Sequence, residues 1–134
     1  MMRLLSVYGP VEHPEKLFMK LMNHIVRDNE FPLFERSLDH KRSFTYVDDT
    51  IESLVAVIDR HKECTGEVFN TGLDTNTTTG QGIAIVEKLL SQKARIKILP
   101  PRRGDQHHIY AQIGEANSIW GYTPRICLEG GLSK

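Results

Sequence analysis

Two arginines in this sequence stand where they could grip a phosphate. Arg42 lies just before the β-prone run Phe44-Thr45-Tyr46-Val47, and Arg102 lies in the loop sequence Pro100-Pro101-Arg102-Arg103-Gly104-Asp105. A guanidinium presents planar donors that match a phosphate two at a time, so a pair converging on one pocket would hold a diphosphate. Taken singly, each loop reads as a solvated arginine, with Asp105 as an ordinary turn residue. The neighbouring acids Asp48 and Asp49 suggest acid/base work, but they precede an amphipathic stretch, where capping is the expected role. His107 and His108, with His13, His24, His40 and His61, follow no H-x-x-x-H or Cys/His spacing, so surface histidines and no metal site are expected.

The elements that would position these residues follow from periodicity. Residues 3–8 are apolar and β-prone up to the Gly9-Pro10 break and read as a strand ending in a turn. Residues 14–28 place Leu17, Phe18, Leu21, Met22 and Ile25 on one helical face, with Pro14 in the first turn. In 49–60, Ile51, Leu54, Val55 and Ile58 follow the i, i+3, i+4, i+7 pattern, and Asp49 with Glu52 spells a capping box. A third helix is predicted over 79–91, with Thr78 and Gln81 as its cap and Ile83, Val86, Leu89 and Leu90 as its stripe. Gly80 and Gly82 weaken its first turn by about 1 kcal/mol each relative to alanine. Strands are predicted at 43–47, 67–71 and 95–99, and short helices near 115–120 and 128–133.

With 134 residues the chain fits one domain and can bury roughly two-thirds of its unfolded surface. Its 17 basic and 17 acidic residues cancel, which argues against nucleic acid or a membrane surface as the main partner. Any anion must therefore be held by a local cluster. Cys64 and Cys127 lack metal-ligand spacing and read as reduced thiols of a cytoplasmic protein. The apolar start before Tyr8 is too short for a signal h-region or a span, and the sequon Asn76-Thr77-Thr78 is read as chance.

Two further patterns are missing. Backbone N–H groups reach a dinucleotide pyrophosphate only through a glycine-rich strand-to-helix turn. The ten glycines contain no G-x-G-x-x-G and no looser G-x-x-G-x-x-G. Nor is there a Tyr-x-x-x-Lys pair, since Tyr8, Tyr46, Tyr110 and Tyr122 are followed at the fourth position by Glu12, Thr50, Gly114 and Ile126.

Five segments nevertheless occur in a telling order: Ser6-Val7-Tyr8-Gly9-Pro10; Lys41 to Asp49; Gly66-Glu67-Val68-Phe69-Asn70-Thr71-Gly72; Pro100 to Asp105; and Gly121-Tyr122-Thr123-Pro124 with Leu128-Glu129-Gly130-Gly131-Leu132. Over nearly its whole length the chain resembles the C-terminal part of the extended short-chain dehydrogenase/reductases. Within them it is most similar to the NAD-dependent nucleotide-sugar epimerases and dehydratases, the UDP-glucuronate 4-epimerases above all. The resemblance implies an α/β fold, the C-terminal portion of a Rossmann-type fold: the last sheet strands plus a small α/β substrate-binding domain, without the N-terminal cofactor half. Residues 1–134 would then form a single nucleotide-sugar-binding region.

The same resemblance implies that Arg42 and Arg102 contact the nucleotide diphosphate, Asp105 the ribose, and Phe44 the nucleotide as a neighbouring aromatic. It also accounts for Gly104-Asp105 without appeal to the adhesion tripeptide Arg103-Gly104-Asp105. The chain departs from the family pattern at Ser6, where asparagine is common, and at His13, Ser43 and Gln112. The family's glycine turn before Arg42 is rewritten as Glu35 to His40. The family reaction oxidises the sugar at C4 with bound NAD, rotates the keto intermediate and reduces its other face. With neither the glycine turn nor the Tyr/Lys pair, this chain is expected to bind no NAD and to be inactive alone. Compatible arrangements are a stand-alone binding module, the remnant of a truncated gene, and one half of a split epimerase. The helices at 14–28 and 49–60 are expected to pack together, residues 3–8 to be the least protected part, and the chain to self-associate or take a partner supplying the cofactor half.

Overall fold

The first strand changes partners halfway along. In the computed structural model, which describes residues 1–134, β1 (Met2–Leu4) runs parallel to β6 (Phe69–Thr71), and β2 (Val7–Tyr8) runs parallel to β5 (Thr45–Tyr46). Ser6 makes the switch with a left-handed backbone, φ 42°. Thr45 stitches the break, its N–H donating to Ser6 O at 3.2 Å and its Oγ1 to Leu5 O at 2.9 Å. The expected continuous strand over 3–8 is therefore two short ones, and each has a partner within the chain.

The next ladder was hidden in the sequence by a proline. β3 (Glu30–Phe34) pairs in parallel with β8 (Arg95–Leu99), from Glu30 beside Arg95 to Phe34 beside Leu99. Phe31 and Leu33 alternate inward while Pro32 occupies a two-stranded ladder, where a missing N–H costs little. The third ladder is three-stranded: β4 (Lys41–Arg42) lies between antiparallel β7 (Thr77–Thr78) and parallel β9 (His108–Ile109). The predicted strand 43–47 is broken accordingly. Ser43 and Phe44 cross from one sheet to the next, both buried, and Ser43 Oγ accepts the Ala111 N–H at 3.0 Å.

Helix α1 (Leu17–Val26) starts later than predicted, leaving Pro14 outside it, but buries the expected face: Phe18, Leu21 and Ile25. Helix α4 (Thr79–Leu90) has the predicted capping box, with Gln81 N–H donating to Thr78 Oγ1 at 3.1 Å and Thr78 N–H to Gln81 Oε1 at 2.8 Å. Gly82, which the sequence marks only as a weak point, is where Phe18 comes closest. A Cβ there would stand 2.9 Å from the Phe18 ring. Around this contact Tyr8, Phe31, Leu33, Phe44, Tyr46, Ile83, Val86 and Leu128 complete the main core. A smaller core joins Ala111 and Ile113 to Ala116 of α5 (Gly114–Trp120) and to Tyr122.

Helix α2 (Val47–Asp59), followed by the single turn α3 (His61–Cys64), departs from expectation. It begins at Val47, two residues early, with Tyr46 as an N-cap that makes no side-chain bond. Asp49 does not cap it. Its carboxylate turns inward and accepts the backbone N–H groups of Arg125, at 3.2 Å, and Ile126, at 3.0 Å, tying down the approach to α6 (Leu128–Leu132). With Asp49, Thr50 and Ser53 facing in, the apolar stripe faces out: Ile51 is 51% and Ile58 70% exposed. The expected packing of this stripe on α1 does not occur, because a buried polar row and an apolar stripe cannot share one side of the helix. Both cysteines are free, and no helix is long and apolar enough to cross a membrane.

Candidate functional site

Strand register brings the two arginines together. Leu99 ends β8 beside Phe34, and His108 begins β9 beside Lys41, so the loop 100–107 is pinned at both ends over the end of β4. Arg42, the last residue of β4, and Arg102 in the loop meet at Asp105. Asp105 Oδ1 accepts from Arg102 Nη2 at 3.1 Å and lies 3.9 Å from Arg42 Nη2. Arg42 also donates to Gln106 O at 3.4 Å. The Arg102 guanidinium lies over the Phe34 ring, 5.1 Å from its centroid, a cation–π contact that pre-orients an otherwise long side chain.

Phe44 is placed differently. It is 5% exposed and packs on Phe18 with ring centroids 4.8 Å apart, so it presents no open ring face and belongs to the core. Three of the four sequence-predicted residues thus converge, and the aromatic in contact with the cluster is Phe34. Phe34 was missed because Pro32 obscured its strand. Also missed was His40, read as a surface histidine but only 4% exposed, with Nδ1 3.7 Å from Asp105 Oδ2. Its signal, faint in sequence, is its place next to β4. A cavity of about 310 Å³ opens here, lined by Glu35, Arg36, His40, Arg102, Asp105 and His107, with Pro101 at its edge.

Arg102 is 61% exposed on its side chain, and so open a pair is worth about 0–1 kcal/mol, so Asp105 holds the guanidinium only weakly. A separate cavity of about 560 Å³ carries Tyr110, whose hydroxyl donates to Asp74 Oδ1 at 2.6 Å. That bond, and the charge of Asp74, hold the phenol above its usual ionisation range.

The turn into α2 opens with Asp48 and Asp49, and the first turn of α4 is closed by its own capping box. No three His, Cys, Asp or Glu side chains gather as a metal set.

Comparison with known proteins places this architecture. The sequence profile of the NAD dependent epimerase/dehydratase family matches residues 1–72. UDP-glucuronate 4-epimerase 5 of Arabidopsis thaliana is 32% identical over 148 aligned residues, covering 99% of this chain and 34% of the plant protein. An uncharacterised protein of Methanocaldococcus jannaschii is 29% identical, covering 99% of the chain and 40% of its own length. The crystal structure of UDP-glucuronic acid 4-epimerase from Bacillus cereus, in complex with UDP-glucuronic acid and NAD, superposes with TM-score 0.92 at 30% identity over 98% of this chain and 41% of the enzyme. A dTDP-glucose 4,6-dehydratase from Streptomyces venezuelae, at 22% identity and TM-score 0.88, shares the fold. The chain belongs to the NAD-dependent epimerase/dehydratase family and has the α/β architecture of part of its Rossmann-type fold. It spans about a third to two-fifths of the length of these relatives.

Proposed function

We propose that these 134 residues form the nucleotide-sugar-recognising region of an NAD-dependent epimerase/dehydratase-like protein. The observation that carries the reading is the meeting of Arg42 and Arg102 from separate segments on one carboxylate, beside an open polar cavity. The ligand is a nucleoside-diphosphate sugar, a UDP-sugar on the strength of the uridine ligand in the Bacillus cereus complex. Arg42 and Arg102 hold the diphosphate, and Asp105, released from Arg102, turns to the ribose hydroxyls.

Hydride and proton transfer require groups that these residues do not supply, so the chain binds no NAD and forms no 4-epimer alone. The exposed stripe of α2 supports one occupant, the part of the fold carrying the glycine-rich turn and the Tyr/Lys pair. Without it, copies of the chain associate through that stripe. The unpaired thiols suit a reducing, cytoplasmic setting.

Calorimetry with UDP-glucuronate tests the reading. Arg42→Ala and Arg102→Ala should each weaken binding about ten- to hundred-fold. Unchanged affinity in both variants would place the ligand elsewhere, and epimer formed by the chain above a no-protein control would end the claim of inactivity.

A further inference from the structure

We infer that the open edge of β8 is a docking strand for an extended peptide in which acidic and apolar residues alternate. β8 belongs to a two-stranded sheet, so one of its edges faces no other strand. Leu99 O accepts from the Glu35 N–H at 2.9 Å, which turns the backbone groups of Leu99, and by alternation those of Lys97 and Arg95, towards β3. Ile96 and Ile98 therefore turn their N–H and C=O groups to the open edge, where no loop backbone bonds them. An edge of this kind is a template for another strand, and proteins usually blunt it. β3 is blunted, because the same alternation points the backbone of Pro32 away from β8 and leaves that outer edge without a donor at mid-strand. β8 has neither a proline nor a bulge between Arg95 and Leu99.

Side chains decide what the added strand must be. Register sets Ile96 beside buried Phe31 and Ile98 beside buried Leu33, on the face turned to the core, yet Ile96 is 37% and Ile98 56% exposed. On the other face Arg95 Nη1 lies 3.7 Å from Asp28 and Lys97 Nζ 3.8 Å from Glu30, with both basic side chains still largely in water. β3 answers this pattern on one flank, with Glu30 outward and Phe31 and Leu33 inward, and the peptide answers it on the other. The charged residues of 92–104 are Lys93, Arg95, Lys97, Arg102 and Arg103, with no acid among them, in a chain of no net charge. A second copy of β8 does not fit, since pairing about Lys97 or in parallel register sets like charges side by side. A second copy of β3 offers only the edge that Pro32 blunts. A single-stranded nucleic acid matches the charge, but β8 has no aromatic ring on which bases could stack.

Proton–nitrogen spectra of the 134-residue chain, titrated with a short synthetic peptide alternating glutamate and valine, test the docking. The amides of Ile96 and Ile98 should shift, and their exchange with solvent should slow about ten-fold or more. A peptide alternating lysine and valine should not bind, and neither should the acidic peptide with every backbone amide methylated. Ile98→Pro removes an N–H from the open edge without touching the β3 bonds, and should weaken the acidic peptide about ten-fold. Arg95→Glu with Lys97→Glu should reverse the preference, losing the acidic peptide and gaining the basic one. If these variants do not fold, the isoleucine amides of the unsubstituted chain and the methylated peptide decide the matter. Equal binding of the methylated peptide reduces the contact to charge and overturns the proposal, as does an acidic peptide that moves no β8 amide. Equal protection of β8 by oligothymidylate assigns the edge to nucleic acid, and protection that grows with protein concentration alone assigns it to a second copy. Displacement of the peptide by UDP seats it on Arg42 and Arg102. Each of these three outcomes likewise overturns the proposal, whereas failure of the chain to bind UDP bears only on the diphosphate reading.

Discussion

Helix α4 buries Ile83 and Val86 against α1, whereas α2, of almost the same length, turns Ile51, Leu54, Val55 and Ile58 outward and faces the protein with Asp49, Thr50 and Ser53. Each holds its place by a different means. α4 is fixed by apolar contact and a capping box of its own. α2 is fixed by a carboxylate that gathers backbone N–H groups from a segment more than seventy residues away. An apolar face used within the chain stabilises the chain, and one left outside is available to something else. The pair thus separates what these residues need for folding from what they offer for assembly.

The sharpest break in the comparison comes on the α4 side. Phe18→Ala removes the ring that fills the space over Gly82 and should cost about 3–5 kcal/mol, read from denaturant unfolding. A loss below about 1 kcal/mol would mean that the α1/α4 contact is not the centre of the core. On the α2 side the corresponding lever is polar. Asp49→Ala leaves the N–H groups of Arg125 and Ile126 without their acceptor and should cost about 1–3 kcal/mol, with faster amide exchange confined to residues 122–132. Uniform acceleration across the chain would show that Asp49 supports the whole fold.

These contrasts also mark what was legible in advance. The capping box at Thr78 and Gln81 and the core faces of α1 and α4 were readable, since local spacing carries them, whereas the meeting of Arg42, Arg102 and Asp105 was implied only by the family resemblance, each loop alone reading as solvated. The inward face of α2 was not. Periodicity reports that one side of a helix is apolar, but not whether this chain supplies its cover, and a buried aspartate looks like a cap until its distant N–H partners are known. β3 was hidden by Pro32, and the role of Phe34 with it. His40 was unreadable for a similar reason: its burial depends on the crossing of β4 with the loop 100–107, a contact between segments sixty residues apart.

A smaller effect on stability is expected from the outer face of α2. Ile51→Glu with Ile58→Glu should change the stability of the monomer by about 0.5 kcal/mol or less, because both side chains are already largely in water. The same pair should abolish self-association in light scattering. A large loss of monomer stability, or association that survives both charges, would show that the stripe is not the assembly face.

The smallest effect at neutral pH belongs to Tyr122, which packs behind Asp49 at the start of the C-terminal segment. Its hydroxyl is buried near the Gly72 backbone amide without completing a hydrogen bond, so Tyr122→Phe should shift stability at neutral pH by only a few tenths of a kcal/mol. Alkaline pH separates the two proteins. Burial, reinforced by the charges of Asp49 and Glu52, pushes the phenol up to about 12 in the folded chain, against 10.0 for the free side chain. Between those values the unfolded chain loses the proton first, so the folded state binds more protons and its stability falls as pH rises. The contribution is whole below the unfolded value and gone above the folded one. Tyr8, raised as well by burial and by Cys127, adds to the same decline. Tyr122→Phe should therefore flatten the alkaline loss of stability without abolishing it. Identical slopes in the two proteins, measured by urea unfolding at successive alkaline pH values, would mean that the phenol is hydrated in the folded state and that the polar face of α2 is open to water.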